Sequence, residues 1–363
     1  MKKIVALVIC VFIYNLVTAQ AHIKEVDSMR KYRNVPGLVY AVFSSDKLID
    51  TGCVGNKKLK TKDPVRWSNR FQIGTATSVF NSFIATRMVK EGKISWNSTI
   101  VQIFPQLDGK IMKIYNRITL RQLLSQRAGL PEFMEQSGYK EIHSMPGTPE
   151  QQRLAFITSM LKRKPKLILD SITDASYSLA GMVVAAAMLE KAGKKSWEKL
   201  VDEYVSKPLK LDIQFGFPAA KDSTQPWGHW DNYYNLTSHR EDYWAQFFIP
   251  IAPGGNININ MPDYISFVQQ YLLALQKQKS LIDSDVTKSL LFSQPFYSIG
   301  WANLKWNQFN IAFMNGRAPL YSSYIELIPE KNIGILVLCN SGTSDGRSVT
   351  MKIGHLLREY YTR

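Results

Sequence analysis

The pattern that most constrains this chain is the placement of its strand-like segments at its two ends. Near the start, Gly37 to Ser44 and Lys47 to Val54 read as a hairpin turning at Ser45-Asp46. Near the finish, Tyr297 to Trp306, Phe309 to Met314, Tyr321 to Ile328 and Ile333 to Cys339 read as successive strands. Ile23, Val26, Met29 and Tyr32 recur at helical spacing before the hairpin; Val349, Ile353, Leu356, Leu357 and Tyr360 do so after the last strand. The middle is long, polar and helical in pattern. This layout implies one antiparallel sheet built from both chain ends, with helices packed on it, and an inserted, mainly helical lobe. The expected fold is α+β, with the sheet lobe at about 20–70 and 290–363 and the helical lobe at about 71–289. A cleft between the lobes is the default ligand site. Hydrophobic residues make up 45% of the 363, ample for a large core.

Met1 to Ala19 has the features of a secretory signal: Lys2 and Lys3, an apolar run from Ile4 to Val17, and small residues at Val17-Thr18-Ala19. The apolar run falls short of the ~20 residues of a spanning helix, and Cys10 lacks the small residues that precede a lipidated cysteine. Cleavage before Gln20 and export to the periplasm or beyond are expected, with no stable membrane span left; N-terminal sequencing reads this out. The formal charge of +16 includes two lysines of the leader, so the mature chain stays strongly basic. Its lysines and arginines are scattered, which fits a solvated surface, although attraction to an anionic envelope polymer is the alternative. No nucleic-acid motif is present and no nucleic-acid partner is expected.

The stretch Phe71-Gln72-Ile73-Gly74-Thr75-Ala76-Thr77-Ser78 resembles the F-x-I-G-S-x-T-K block of the serine β-lactamase and penicillin-binding-protein superfamily. Thr75 stands at the position of the nucleophilic serine and Ser78 at that of the lysine. Further similar runs follow in order: Met88 to Ser95, Ile118 to Pro131, Ala252-Pro253-Gly254-Gly255 with Asp263, Ser322-Ser323 through Lys331, and Val337 to Asn340. Together they resemble the class C, esterase and D-aminopeptidase-like branch over most of the mature chain. The resemblance implies a five-stranded β-lactamase/transpeptidase-like sheet, with the last strand between the first and the fourth. Cys53 and Cys339 would then lie two strand spacings apart, roughly 9–10 Å, beyond disulfide reach, as two free thiols.

The resemblance also places the chemistry. Its second motif, Y-S-N or Y-A-N, falls on Tyr177-Ser178-Leu179, so the tyrosine stays and the amide is lost. Its third, H-T-G or K-T-G, falls on Met314-Asn315-Gly316, so the cation or imidazole becomes a thioether. The implied oxyanion hole is made of the backbone amides of Thr75 and Arg317. Thr75 is then a nucleophile without its lysine, or, with Thr77 and Ser78, a helix-start hydroxyl capping orphan amides. Tyr177 is the implied general base, or an aromatic at a helix start. With an ordinary pKa near 10, only about 0.1% of it is phenolate at pH 7.

Of the five histidines (His22, His143, His229, His239, His355), none falls on a family catalytic position. No metal-ligand pattern appears, and no cofactor is expected. Trp230, Tyr233, Tyr234 and Tyr243 could stack on a ligand or pack beneath a loop. Three functions remain open. One is a non-catalytic protein whose cleft binds a cell-envelope peptide or other anionic ligand through Thr75, Thr77, Ser78, Asn315, Gly316 and Arg317. The second is a weak or rewired hydrolase using Thr75 and Tyr177, and the third is a structural role in assembly. The oligomeric state is not written in the sequence.

Overall fold

The structure, a computed structural model, describes residues 22–363 apart from 134–141, 143–144, 167–174, 232–235 and 240–248. The expected leader lies outside the described residues. The strands are β1 (Gly37–Phe43), β2 (Leu48–Gly55), β3 (Arg70–Gln72), β4 (Gln214–Phe215), β5 (Gly228–Asp231), β6 (Leu236–His239), β7 (Ile257–Asn260), β8 (Ala302–Trp306), β9 (Phe309–Arg317), β10 (Ser322–Ile328) and β11 (Ile333–Cys339). The main sheet is antiparallel in the order β2-β1-β11-β10-β9-β8, so both chain ends do build it and the last strand lies beside the first.

It has six strands, as many as the strand-like segments in the sequence and one more than the five that the resemblance implies. The segment read as one strand from Tyr297 to Trp306 divides, with residues 297–301 outside the main sheet and β8 starting at Ala302. Only Asn307 and Gln308 separate Trp306 from its partner Phe309, and Asn307 is left-handed at φ 51°. So short a turn folds β8 straight back on β9 as an added edge strand.

β1 is buried on both faces. Val39, Ala41 and Phe43 enter the main core, while Leu38, Tyr40 and Val42 face a second core with Val26 of the helix at 22–32 and Val349, Ile353 and Leu357 of the helix Ser344–Thr362. Tyr360, expected on that helix's apolar face, is half exposed; Arg358 is buried there instead. Arg358 Nη1 donates to Glu326 at 3.0 Å, and the Tyr324 hydroxyl donates to the same carboxylate. Burial pushes the Glu326 carboxyl up to about 7, against the pull of Arg358 and Tyr324. The folded protein thus keeps a proton that the unfolded chain loses near 4.5. This group's stabilisation is full below that pH and disappears as pH rises through about 7. Urea stability of the wild type should therefore fall relative to Glu326→Gln between pH 5 and 7.5. A constant difference would contradict this account.

Cys53 and Cys339 are both free, with β1 between their strands: Val39 pairs with Cys53 and Leu38 with Cys339. Burial raises their thiols to about 11 and about 12.

The inserted segment carries the helices Ser78–Lys90, Pro149–Met160, Leu179–Gly193 and Met261–Leu275, together with a small sheet in the order β3-β7-β4 and the hairpin β5-β6. Leu179–Gly193 is buried over most of its length because it is apolar all round, as a central helix must be. β3 matters most for the site. It delivers the chain to a turn at Ile73-Gly74 that lies against β9. No helix among the described residues is long and apolar enough to cross a membrane.

Candidate active site

Two glycines bring the expected motifs together. Gly74 has φ +58°, and a Cβ on it would lie 2.3 Å from the Arg317 carbonyl group. A Cβ on Gly316 would lie 2.2 Å from Ile73 O and 2.0 Å from Ser323 Oγ. The backbone of β9 therefore presses directly on the turn before Thr75, and Ser323 Oγ fastens it by donating to Ile73 O at 2.8 Å. The close approach that Gly316 permits is to the protein's own chain.

Thr75 sits in a 3₁₀ turn, Gly74–Thr77, that runs straight into the helix Ser78–Lys90. Its Oγ1 accepts from the Arg317 N–H at 3.0 Å and donates to Asn315 O at 3.3 Å. The amide expected to stabilise an oxyanion is thus already bonded to the hydroxyl expected to attack. Ser78 Oγ donates to Gly300 O at 3.0 Å, and the Tyr297 hydroxyl stands 3.5 Å from it. Thr77 is fully buried, its hydroxyl without a partner among the described residues. None of the three caps the helix, because the preceding 3₁₀ turn already supplies its first carbonyls.

Tyr177 is positioned from both sides. Ser178 N–H donates to Gln126 Oε1 at 2.8 Å and Ser176 N–H to Gln126 O at 2.9 Å. Ser178 Oγ accepts from Gly181 N–H at 2.9 Å, capping the helix Leu179–Gly193. The Tyr177 hydroxyl lies beside Thr75, Tyr297 and Arg317, yet among the described residues no hydrogen bond of ordinary geometry reaches it. Burial raises its pKa far above the usual phenol value, and the nearby Thr75 hydroxyl and Arg317 charge lower it only in part. Leu179 packs on the turn Ala252–Gly254, where a Cβ on Gly254 would lie 2.6 Å from Leu179 Cγ. The second motif's lost amide is replaced by apolar packing.

On β9 the pleat separates the third-motif residues. Met314 is buried in the main core, on the same strand face as Gly316. Asn315 faces the other way, its Nδ2 4.0 Å from Met351 Sδ, so only its carbonyl meets Thr75. The Arg317 side chain is exposed. Its charge lowers the pKa of Arg347, although burial is the larger cause.

Sequence reasoning missed Gln126, Arg127 and Tyr297. Arg127 donates to the carbonyls of Tyr297 at 2.5 Å and Pro295 at 2.9 Å, which holds the Tyr297 loop over Ser78. The Tyr297 phenol is pushed up to about 12 by burial. Its only local signal was a tyrosine heading a strand-like run. His229 is fully buried; Leu59 N–H donates to its Nε2 at 3.0 Å, so its Nδ1–H donates to Asn340 O at 2.7 Å. Trp230 is partly exposed, while Tyr233, Tyr234, Tyr243 and His143 lie outside the described residues. Among the described residues no three His, Cys, Asp or Glu side chains group as a metal site.

With this geometry established, the profile of the Beta-lactamase family matches residues 23–357. The chain belongs to the beta-lactamase family. Among relatives in that family, the beta-lactamase of Yersinia enterocolitica is 21% identical over 348 residues, covering 85% of this chain and 83% of its own. Protein flp of Staphylococcus aureus is 22% identical over 333 residues, 85% of this chain but only 60% of its own length. The chain thus spans about three fifths of that relative. The octameric penicillin-binding protein homologue from Pyrococcus abyssi superimposes with a TM-score of 0.72 at 20% identity, over 95% of this chain and 77% of its own. A class C beta-lactamase from Rhodobacter sphaeroides gives 0.71 at 14% identity, over 94% and 99%. These likenesses confirm the beta-lactamase fold.

Proposed function

We propose that this beta-lactamase family chain is a non-catalytic member that binds an anionic peptide of the cell envelope at the mouth of its cleft. One observation carries the reading: the Thr75 hydroxyl is spent on Arg317 N–H and Asn315 O. Among the described residues no amine, imidazole or carboxylate hydrogen-bonds to Thr75, Ser78 or Tyr177. Acyl transfer needs a base at the nucleophile and free donors for the oxyanion. Here the donor is occupied and the nearest base is a buried phenol of raised pKa.

What the site offers a ligand is the exposed Arg317 guanidinium at the end of β9, with Arg347 near it. A carboxylate fits such a group, and family resemblance points to peptidoglycan-derived peptides, which an exported chain would meet. The test is calorimetric titration with cell-wall peptides carrying a free or an amidated C-terminus. Saturable binding of the free acid, weakened about tenfold or more by Arg317→Ala, supports the reading. No saturation by either peptide sinks it. Slow hydrolysis by Thr75 with Tyr177 as base is the competing reading, and the closeness of Tyr177 to Thr75 is what favours it.

A further inference from the structure

The helix Leu179–Gly193 begins at the Thr75 site and ends at a second hollow. Fifteen residues at 1.5 Å each put the two about 22 Å apart. The second hollow has a volume of about 630 Å³, within the range of small-molecule sites. Its floor is apolar, from Phe104, Leu154 and Ala187. Its rim carries Lys191, Lys194, Lys195 and Lys199, all exposed.

The charges do not cancel locally. Some lysines elsewhere stand against acids, such as Lys31 on Asp27, Lys57 on Asp63, Lys90 on Asp283 and Lys207 on Asp202. At this rim Lys195 pairs with Glu203, but Lys191, Lys194 and Lys199 have no ion pair among the described residues. Glu190 lines the wall, yet its carboxylate is taken by Arg153 at 2.7 Å and by Trp197 N–H at 2.7 Å. Glu150 is the remaining acid. Three ammonium groups around one apolar hollow repel one another and leave the floor wetted. An anion with a hydrocarbon portion relieves both costs.

We infer that this hollow binds an anionic amphiphile, with a phosphate head held among Lys191, Lys194 and Lys199 and a short apolar portion on Phe104, Leu154 and Ala187. It is independent of the Thr75 site. The experiment titrates the full chain with dihexanoyl phosphatidylglycerol below its micelle concentration, with dihexanoyl phosphatidylcholine, and with inorganic pyrophosphate. The phosphatidylglycerol should bind saturably and the phosphatidylcholine far more weakly. Lys191→Ala/Lys194→Ala/Lys199→Ala should reduce the former roughly 100-fold with an unchanged melting temperature. If that variant does not fold, Lys194→Glu alone should lower the affinity by about tenfold or more. Undiminished binding in the folded variants, or no saturation by phosphatidylglycerol, overturns the proposal. Pyrophosphate binding as tightly as the lipid overturns the amphiphilic part, since the floor would then add nothing.

Discussion

Incubated with a reactive β-lactam or a p-nitrophenyl ester, the purified chain should form no acyl adduct detectable by mass spectrometry, and Thr75→Ser alone should not change that. Thr75→Ser/Ser78→Lys should become labelled, by roughly 10²–10⁴ over the wild type if proton transfer is what was missing. The structure gives each half of that variant a reason. A serine lacks the methyl that stiffens Thr75 in its bond to Arg317 N–H, so its hydroxyl can turn toward a bound carbonyl. A lysine at 78 lies one turn along the same helix start, and the unpartnered Tyr177 hydroxyl offers its amine an acceptor. The Tyr297 hydroxyl, 3.5 Å from Ser78 Oγ, must yield to it. A double variant that folds but stays unlabelled would show that the deficit is not the missing amine. Wild-type ester turnover that stops with Thr75→Val would establish the competing hydrolase.

The largest loss of stability is expected at Arg153, a fully buried guanidinium on the helix Pro149–Met160. It bonds Glu190 of the helix Leu179–Gly193 at 2.7 Å, Glu198 of the short helix Trp197–Val201 at 2.9 Å, and Ile249 O at 3.1 Å. Glu190 also accepts the Trp197 N–H. Removing one partner of such a group leaves charge buried without compensation, so Arg153→Ala should cost about 3–5 kcal/mol in urea unfolding at neutral pH. Burial already raises the Glu190 pKa and Arg153 holds it down, so without Arg153 that carboxyl protonates more readily. The loss should therefore be smaller at pH 5 than at pH 7.5. A loss under 1 kcal/mol, or one that grows with acidity, would contradict this role.

The fold was legible because its signals are local and repeat. β1, β2 and β11 announce themselves by apolar runs at each end, and β11 is found at the residues expected, Ile333–Cys339. β3, the Ile73-Gly74 turn and β9 bring Thr75, Tyr177 and Gly316, which the family motifs single out, from distant segments to one point. Other features depend on direction or distance that a run of letters does not carry. Asn315, expected among the ligand contacts, turns its side chain away from the face of Met314 and Gly316, because the two-residue period of a strand puts neighbours on opposite faces. Tyr297 reaches Ser78 only because Arg127 holds its loop, a contact between residues 170 apart in the chain. Glu190 and Glu198 look like ordinary surface acids until Arg153 is placed between them.

The seat of β11 between β1 and β10 sets the order of events during synthesis. Leu38 must wait for Cys339, some 300 residues later, before that side of its strand finds hydrogen-bond partners. So long a wait favours slow closure. A ribosome that stalls before Ile333 would release a chain with an open strand edge and no sheet to finish it, a species prone to pair with its neighbours. The last thirty or so residues therefore decide whether everything made before them becomes a protein or an aggregate.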